Sequence, residues 1–337
     1  MSPGTRAARG IVVLGAGLLT LTVAALLSVM VGTRPIDPGI VLDALLHADP
    51  QNPDHLVVLT QRIPRTVIGV LAGTALAAAG GMMQGLTRNP LADPGLLGVN
   101  AGASFAVLTA ITVLGLTQPS AFVWFAFLGA ALAAVAVYAI GSAGRDGATP
   151  AKLALTGAAV TAGLTSLSML VLTTNTTALN TYRFWSVGSL TGRGLSEAWF
   201  VAPVIGAGLV LALITAAGLN LLALGDDTAR GLGHSVRRTR TLAMIAIVLL
   251  CGSATAIAGP LVFVGLVVPH VARALVGTDY RWIVAAGIPL GGVLLVGADV
   301  LGRVVAAPAE LEAGLIVAFL GAPALMSLVL RRRPVSL

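Results

Sequence analysis

Charge is scarce in this chain. Asp, Glu, Lys and Arg make up 10% of its 337 residues, whereas 57% are hydrophobic. A water-soluble domain carries roughly a quarter of its residues as charges, so the shortage excludes a soluble fold and points to a body built for lipid. Cysteine is nearly absent as well. Cys251 stands alone inside an apolar run, which excludes an intrachain disulfide and a cysteine-based metal cluster. The four histidines (His47, His55, His234 and His270) are isolated, and no two have the i, i+3 or i, i+4 spacing of a zinc helix. No G-x-x-x-x-G-K-S/T occurs, so the chain cannot hydrolyse ATP through a P-loop, and an ATP-driven step would need a separate subunit. The net charge is +7. Those charges are scattered between apolar runs, with short clusters such as 237–240, which suits orientation in a bilayer rather than nucleic-acid binding.

What the sequence does have is long uncharged runs, and these predict an all-α integral membrane protein with about ten transmembrane helices. The spans fall at about 11–31, 62–86, 95–116, 120–140, 153–172 and 198–219. The run 241–269 is too long for one helix and is cut at Gly259-Pro260, giving a seventh span and a short eighth segment, about 261–271. The ninth and tenth spans are about 282–301 and 313–330. The first run is long for a signal peptide and lacks a small-x-small cleavage site, so it reads as a span. Residues 32–60 are polar, with a short surface helix expected at 39–47. Residues 173–194 are polar and aromatic, suited to the interface. With ten spans, fourteen of the 20 basic residues fall on the side of the termini, including Arg6, Arg9, Arg88, Arg145, Lys152 and the triplet Arg331, Arg332 and Arg333. The positive-inside rule then places both termini in the cytoplasm.

One stretch resists the apolar pattern: QGLTRNPLADPGLLGVNAGAS at 84–104. Pro90 and Pro94 forbid a continuous helix there. Broken backbone at membrane depth is tolerated only inside protein or along a wet cavity. Gly259-Pro260 opens a segment at the matching place of the second half, running the opposite way, an echo of inverted repeats with no sequence repeat to accompany it.

R-I-P-R-T at 62–66, N-P-L-A-D-P-G-L-L-G-V at 89–99 and F-W-x-x-G-S-L at 184–190 are joined by L-G-x-x-x-A-R-G-L-G at 224–233. G-P-L-x-F-V-G-L-V-V-P-H at 259–270 and Gly321-Ala322-Pro323 complete the set. Together, over about 61–333, they resemble the permease subunits of ABC importers for iron chelates, haem and cobalamin. The resemblance implies one polytopic permease domain over 1–337, with ten helices per subunit and broken half-helices, in the cytoplasmic membrane of a bacterial cell. It implies a second permease subunit (homodimer or paralogous heterodimer), cytoplasmic ATP-binding subunits and an extracytoplasmic solute-binding protein, and no cofactor, metal or catalytic residue. It assigns a cytoplasmic gate to Asn89 and Leu91, aided by the loop at Thr149. It makes 221–240 a cytoplasmic coupling segment, with two short helices over 221–234 and Leu224, Gly225, Asp226, Asp227, Arg230 and Gly231 facing the ATPase. Arg62, Arg65 and Arg303 become exposed sockets for acidic residues of the binding protein. One departure stands out: the family's E-L-P-V-G reads Glu310-Leu311-Glu312-Ala313-Gly314 here.

Blander readings stand beside each assignment. Asn89 suits a helix cap, the segment 221–234 suits a solvated loop, and the outer arginines suit snorkelling. The cargo expected is an iron-siderophore complex, with haem or cobalamin as the alternative. An ion-coupled secondary transporter would need an intramembrane carboxylate. Asp299 is the candidate, four residues from Arg303 and placed to pair with it. A membrane enzyme would need polar residues converging at one membrane face, and the motifs do not supply them.

Overall fold

The computed structural model describes residues 3–116, 118–143 and 149–331, and all of its regular structure is helical. Arg145, Arg332 and Arg333, three charges counted toward the cytoplasmic side, lie outside the described residues.

The architecture is organised around α4 (Ile63–Thr87), which packs against α13 (Tyr280–Val305), α11 (Val236–Ala258), α9 (Leu195–Leu222) and α12 (Val264–Val276). Its composition explains this position. Ala and Gly line it on every side, so neighbouring backbones approach closely, which is how helices associate in lipid. At Gly73 a Cβ would overlap the Gly291 carbonyl of α13, and at Gly80 it would overlap the Gly265 carbonyl of α12. The outer helices have the opposite character. α1 (Pro3–Met30) and α7 (Pro150–Thr174) leave Ile11, Leu19, Leu155 and Leu170 more than half exposed. An apolar surface of that extent belongs against lipid tails.

Seven helices are long and apolar enough to cross a membrane, and Val99–Leu114, Val264–Val276 and Ala313–Ser327 are shorter apolar helices. The sequence-derived spans match these elements, with three differences. The helix containing the second span begins at Pro53, not Arg62, and runs 35 residues to Thr87. Asn52 caps its start by accepting Asp54 N, and Pro53 sits in its first turn. Pro64 therefore lies inside the helical run. The π-turn Val58–Arg62 just before it accommodates a ring that would clash with the preceding turn. Second, 176–186 forms a helix, α8 (Thr176–Ser186), too short to span. Third, 221–234, expected to hold two short helices, contains one beyond the end of α9: α10 (Asp226–Gly231), then a turn at Gly233 (φ 77°) and a Ser235 cap on α11.

The two proline breaks lie against each other. After α4, Asp93 accepts Gly95 N and opens the 3₁₀ turn Pro94–Leu97, and Gly98 (φ 71°) passes the chain to α5 (Val99–Leu114). The second break runs through Gly259 (φ 75°) and Phe263 (φ 68°) into α12. Gly265 packs beside Pro94 Cδ, and Thr255 Oγ1 donates to Asn100 Oδ1 at 3.0 Å.

Candidate functional site

Three clusters carry the residues that the sequence singles out. At the end of α4, Asn89 and Leu91 share one turn. Asn89 Oδ1 accepts Leu91 N at 3.0 Å, and Ala92 N donates to Asn89 O. Asn89 therefore closes a side-chain turn and does not cap a helix, since Arg88 caps α4 and Asp93 opens the next turn, and the bond fixes Leu91 relative to the break. Thr149 is at the other end of a different connection. Its hydroxyl accepts Lys152 N and caps α7. No hydrogen bond or ion pair joins Thr149 to Asn89 among the described residues. The link is α7 itself, whose Gly157 lies so close to the Leu96 carbonyl that a Cβ would overlap it.

The residues that the resemblance assigns to coupling divide in two. Asp227 and Arg230 face solvent (side chains 99% and 60% exposed) and pair with each other at 2.8 Å. Asp226 turns inward. Its carboxylate lies 2.8 Å from Arg240 Nη2 on α11 and 3.4 Å from Arg88 Nη2 at the end of α4. Leu224 is exposed, Gly225 takes φ 100° at the α10 entry, and Gly231 closes the helix. Arg88 and Arg240 were not in the expected set, because their pairing joins positions far apart in the chain and leaves no periodic signal.

The three arginines assigned to docking are buried in the single chain rather than open to solvent, Arg62, Arg65 and Arg303 being 4%, 6% and 2% exposed. Arg62 donates to the carbonyls of Val29, Met30 and Arg34, and Arg303 donates to those of Ser28 and Val31. The last carbonyls of α1 have no partners within their own helix, and its C-terminus is the negative end of its dipole. Two arginines from other elements supply the donors. Gly32 is needed at that point, because a Cβ there would press on the Arg62 guanidinium. Arg65 Nε holds Asp299 Oδ1 at 2.7 Å while its Nη1 holds Glu310 Oε2, and Arg303 Nη2 approaches Asp299 Oδ2 at 3.0 Å. The expected Asp299–Arg303 pair is present, with Arg65 as a second cation. A cleft of about 170 Å³ opens above, lined by Arg34, Arg62, Arg65, Arg303 and Glu310 among others.

Glu312 resolves the E-L-P-V-G departure. α14 (Ala313–Arg331) begins directly after it, and its carbonyl accepts Leu315 N. The helix therefore starts without a proline, and the Glu312 side chain accepts from Thr191 Oγ1 at 3.3 Å. Arg193 lies nearby, almost fully buried, with Nε and Nη1 unpartnered. Burial pulls its guanidinium down to about 10, although the charges of Glu197 and Glu312 oppose that.

Backbone that breaks twice at one meeting point inside a lipid-facing bundle is what a solute pathway needs, and it places this chain among multi-pass membrane transport proteins. The chain belongs to the FecCD transport family, whose pattern matches residues 20–331. It is 44% identical over 98% of both chains to the ferric enterobactin transport system permease protein FepD of Escherichia coli K12. It is 40% identical to the iron(3+)-hydroxamate import system permease protein FhuB of Bacillus subtilis, over 96% of this chain and 84% of that one. A solved structure described as an inward-facing conformation of a metal-chelate type ABC transporter superposes with a TM-score of 0.82. It is 25% identical and covers 95% of this chain and 99% of its own.

Proposed function

We infer that this chain is the permease subunit of an ATP-driven importer that carries an iron-siderophore complex, or a related metal chelate, into the cytoplasm. The observation that carries this reading is end-to-end similarity to permeases named for ferric enterobactin and iron(3+)-hydroxamate. Ten crossings follow if the three shorter apolar helices span together with the seven long ones. Both termini then face the cytoplasm of a bacterial cell. The assembly comprises a second permease subunit, cytoplasmic ATP-binding subunits and an extracytoplasmic solute-binding protein. Haem or cobalamin remains the alternative cargo of the same machine. Against the ion-coupled reading stands Asp299, whose carboxylate is held by two arginines and is not poised to take up and release an ion. Deleting the gene should abolish growth on a ferric siderophore as sole iron source, and affinity purification of the permease should bring down an ATPase. Undiminished growth of the deletion strain on every chelate tried would refute the assignment.

The turn at Asn89 and Leu91 serves as the cytoplasmic gate in this reading, with Thr149 holding the start of α7. Leu91→Ala should raise passive leakage of ferric siderophore from liposomes without ATP, by roughly the tenfold that 1.4 kcal/mol of lost closure represents. Asn89→Ala should do so less, through loss of the turn. Unchanged leakage in both variants would remove this turn from the gate.

Docking of the binding protein belongs at the cleft around Arg65. Glu310 of this same chain occupies Arg65 there, so an incoming carboxylate must displace Glu310 or join it. Arg34, its side chain 58% exposed, is the cation at the rim and pairs with Asp54. Pairs of that kind are worth about 1 kcal/mol or less, so docking gains register and salt sensitivity more than strength.

A further inference from the structure

Arg88 caps α4 in left-handed backbone, at φ 52° and ψ 27°. Glycine adopts that geometry freely, and a residue with a Cβ does not. The side chain at this position therefore needs its own reason. It reaches the coupling helix, where Arg88 Nη2 stands 3.4 Å from Asp226 Oδ1. That oxygen is buried and has no hydrogen-bond partner, so the nearby guanidinium is what balances it. The other oxygen holds Arg240 on the second turn of α11. Directly after Arg88 in the chain comes Asn89, whose side chain fixes the turn that carries Leu91. A short mechanical path therefore runs from α10, through one ion pair, to the turn beside the broken backbone.

We propose that Arg88 and Asp226 form a strut that converts movement of α10 into movement of the turn at Asn89 and Leu91. Both are positioning residues and neither touches the cargo. The proposal rests on reading α10 as the ATPase contact, with Asp227 and Arg230 as its outward face and Asp226 as its inward one. A coupling claim needs an element with two arrangements that both sites bias. In the proposal the Arg88 turn is that element, and the structure shows the arrangement in which its left-handed cap is held from α10. Arg240 ties the same carboxylate to α11, so displacing α10 loads the strut rather than swinging Asp226 away from it.

The test uses the full permease copurified with its ATPase and reconstituted in liposomes, with its binding protein and with ferric enterobactin and a ferric hydroxamate as parallel probes. Chelate transported per ATP hydrolysed is the readout. Arg88→Gly suits the left-handed backbone better than arginine, so it should fold and retain the ATPase while losing the strut. Its coupling ratio should fall about tenfold, within the roughly 5–150-fold range of allosteric couplings. Asp226→Asn should fall similarly, the double variant no further, and Arg88→Lys should restore much of the ratio. A native coupling ratio in Arg88→Gly overturns the strut. A separate variant, Asp227→Ala with Arg230→Ala, tests the underlying reading. It should weaken ATPase retention, and if retention and stimulated hydrolysis are both native, α10 is not the ATPase contact and the strut falls with it.

Discussion

Replacing Arg65 with glutamate should leave no folded permease to assay. The guanidinium lies between Asp299 and Glu310, and Asp299 is 1% exposed. Reversal would put a third carboxylate beside the buried Asp299 and the part-exposed Glu310, with Arg303 as the remaining cation beside Asp299. Removing one partner of a buried ion pair costs roughly 3–5 kcal/mol, and adding a like charge costs more. That is a large part of the stability of an ordinary domain, about 5–15 kcal/mol. The expected result is loss of monodisperse protein after detergent extraction, with Arg65→Lys recovering folded protein at lower thermal stability. Native yield and melting temperature for Arg65→Glu would show that the cluster does not hold the outer ends of α4 and α13 together. Charge reversal at Arg65 therefore cannot serve as a test of docking. Glu310→Gln can, because Asp299 still pairs with both Arg65 and Arg303, and the change leaves one net positive charge facing the cleft.

Gly80→Leu should also be damaging, for a different reason. Overpacking a core commonly costs about 1–3 kcal/mol, because side chains and backbone shift to make room. Here the neighbour is the Gly265 carbonyl, and Gly265 in turn lies against Pro94. The substitution pushes α4 away from α12 at the point where the two backbone breaks meet, so stability and transport should both be lost. Gly163→Leu on α7 is the control, since a Cβ there meets nothing within 4 Å. A shift in melting temperature shared by both variants would point to helix propensity or lipid contact rather than to the α4–α12 crossing.

Much of the fold was legible because lipid imposes a simple rule: apolar runs of the right length become helices, and Pro90, Pro94 and Pro260 mark where they break. The Pro53–Arg62 extension was hidden by its own polarity. Asp54 and His55 fall in the polar stretch 32–60, yet Asn52 and Pro53 start a helix there and a π-turn carries it past Pro64. The candidate sites were less legible. Arg62, Arg65 and Arg303 were found as residues, but their burial was not, because the acceptors for Arg62 and Arg303 include the carbonyls at the end of α1 and a main-chain carbonyl leaves no mark in a sequence. Asp226 and Asp227 looked equivalent in the chain. One residue of helical rotation separates an inward latch from a solvent-facing charge, and tertiary structure decides which is which.

In the proposed function this subunit moves a ferric chelate inward at the expense of ATP hydrolysed by a partner. The most direct measurement is uptake of radiolabelled ferric siderophore into liposomes holding the purified permease–ATPase complex, with binding protein outside and ATP inside. Uptake should require all three components, stop when a non-hydrolysable ATP analogue replaces ATP, and persist when ionophores collapse every ion gradient. Uptake that continues without the ATPase and vanishes with the ion gradient would contradict the account.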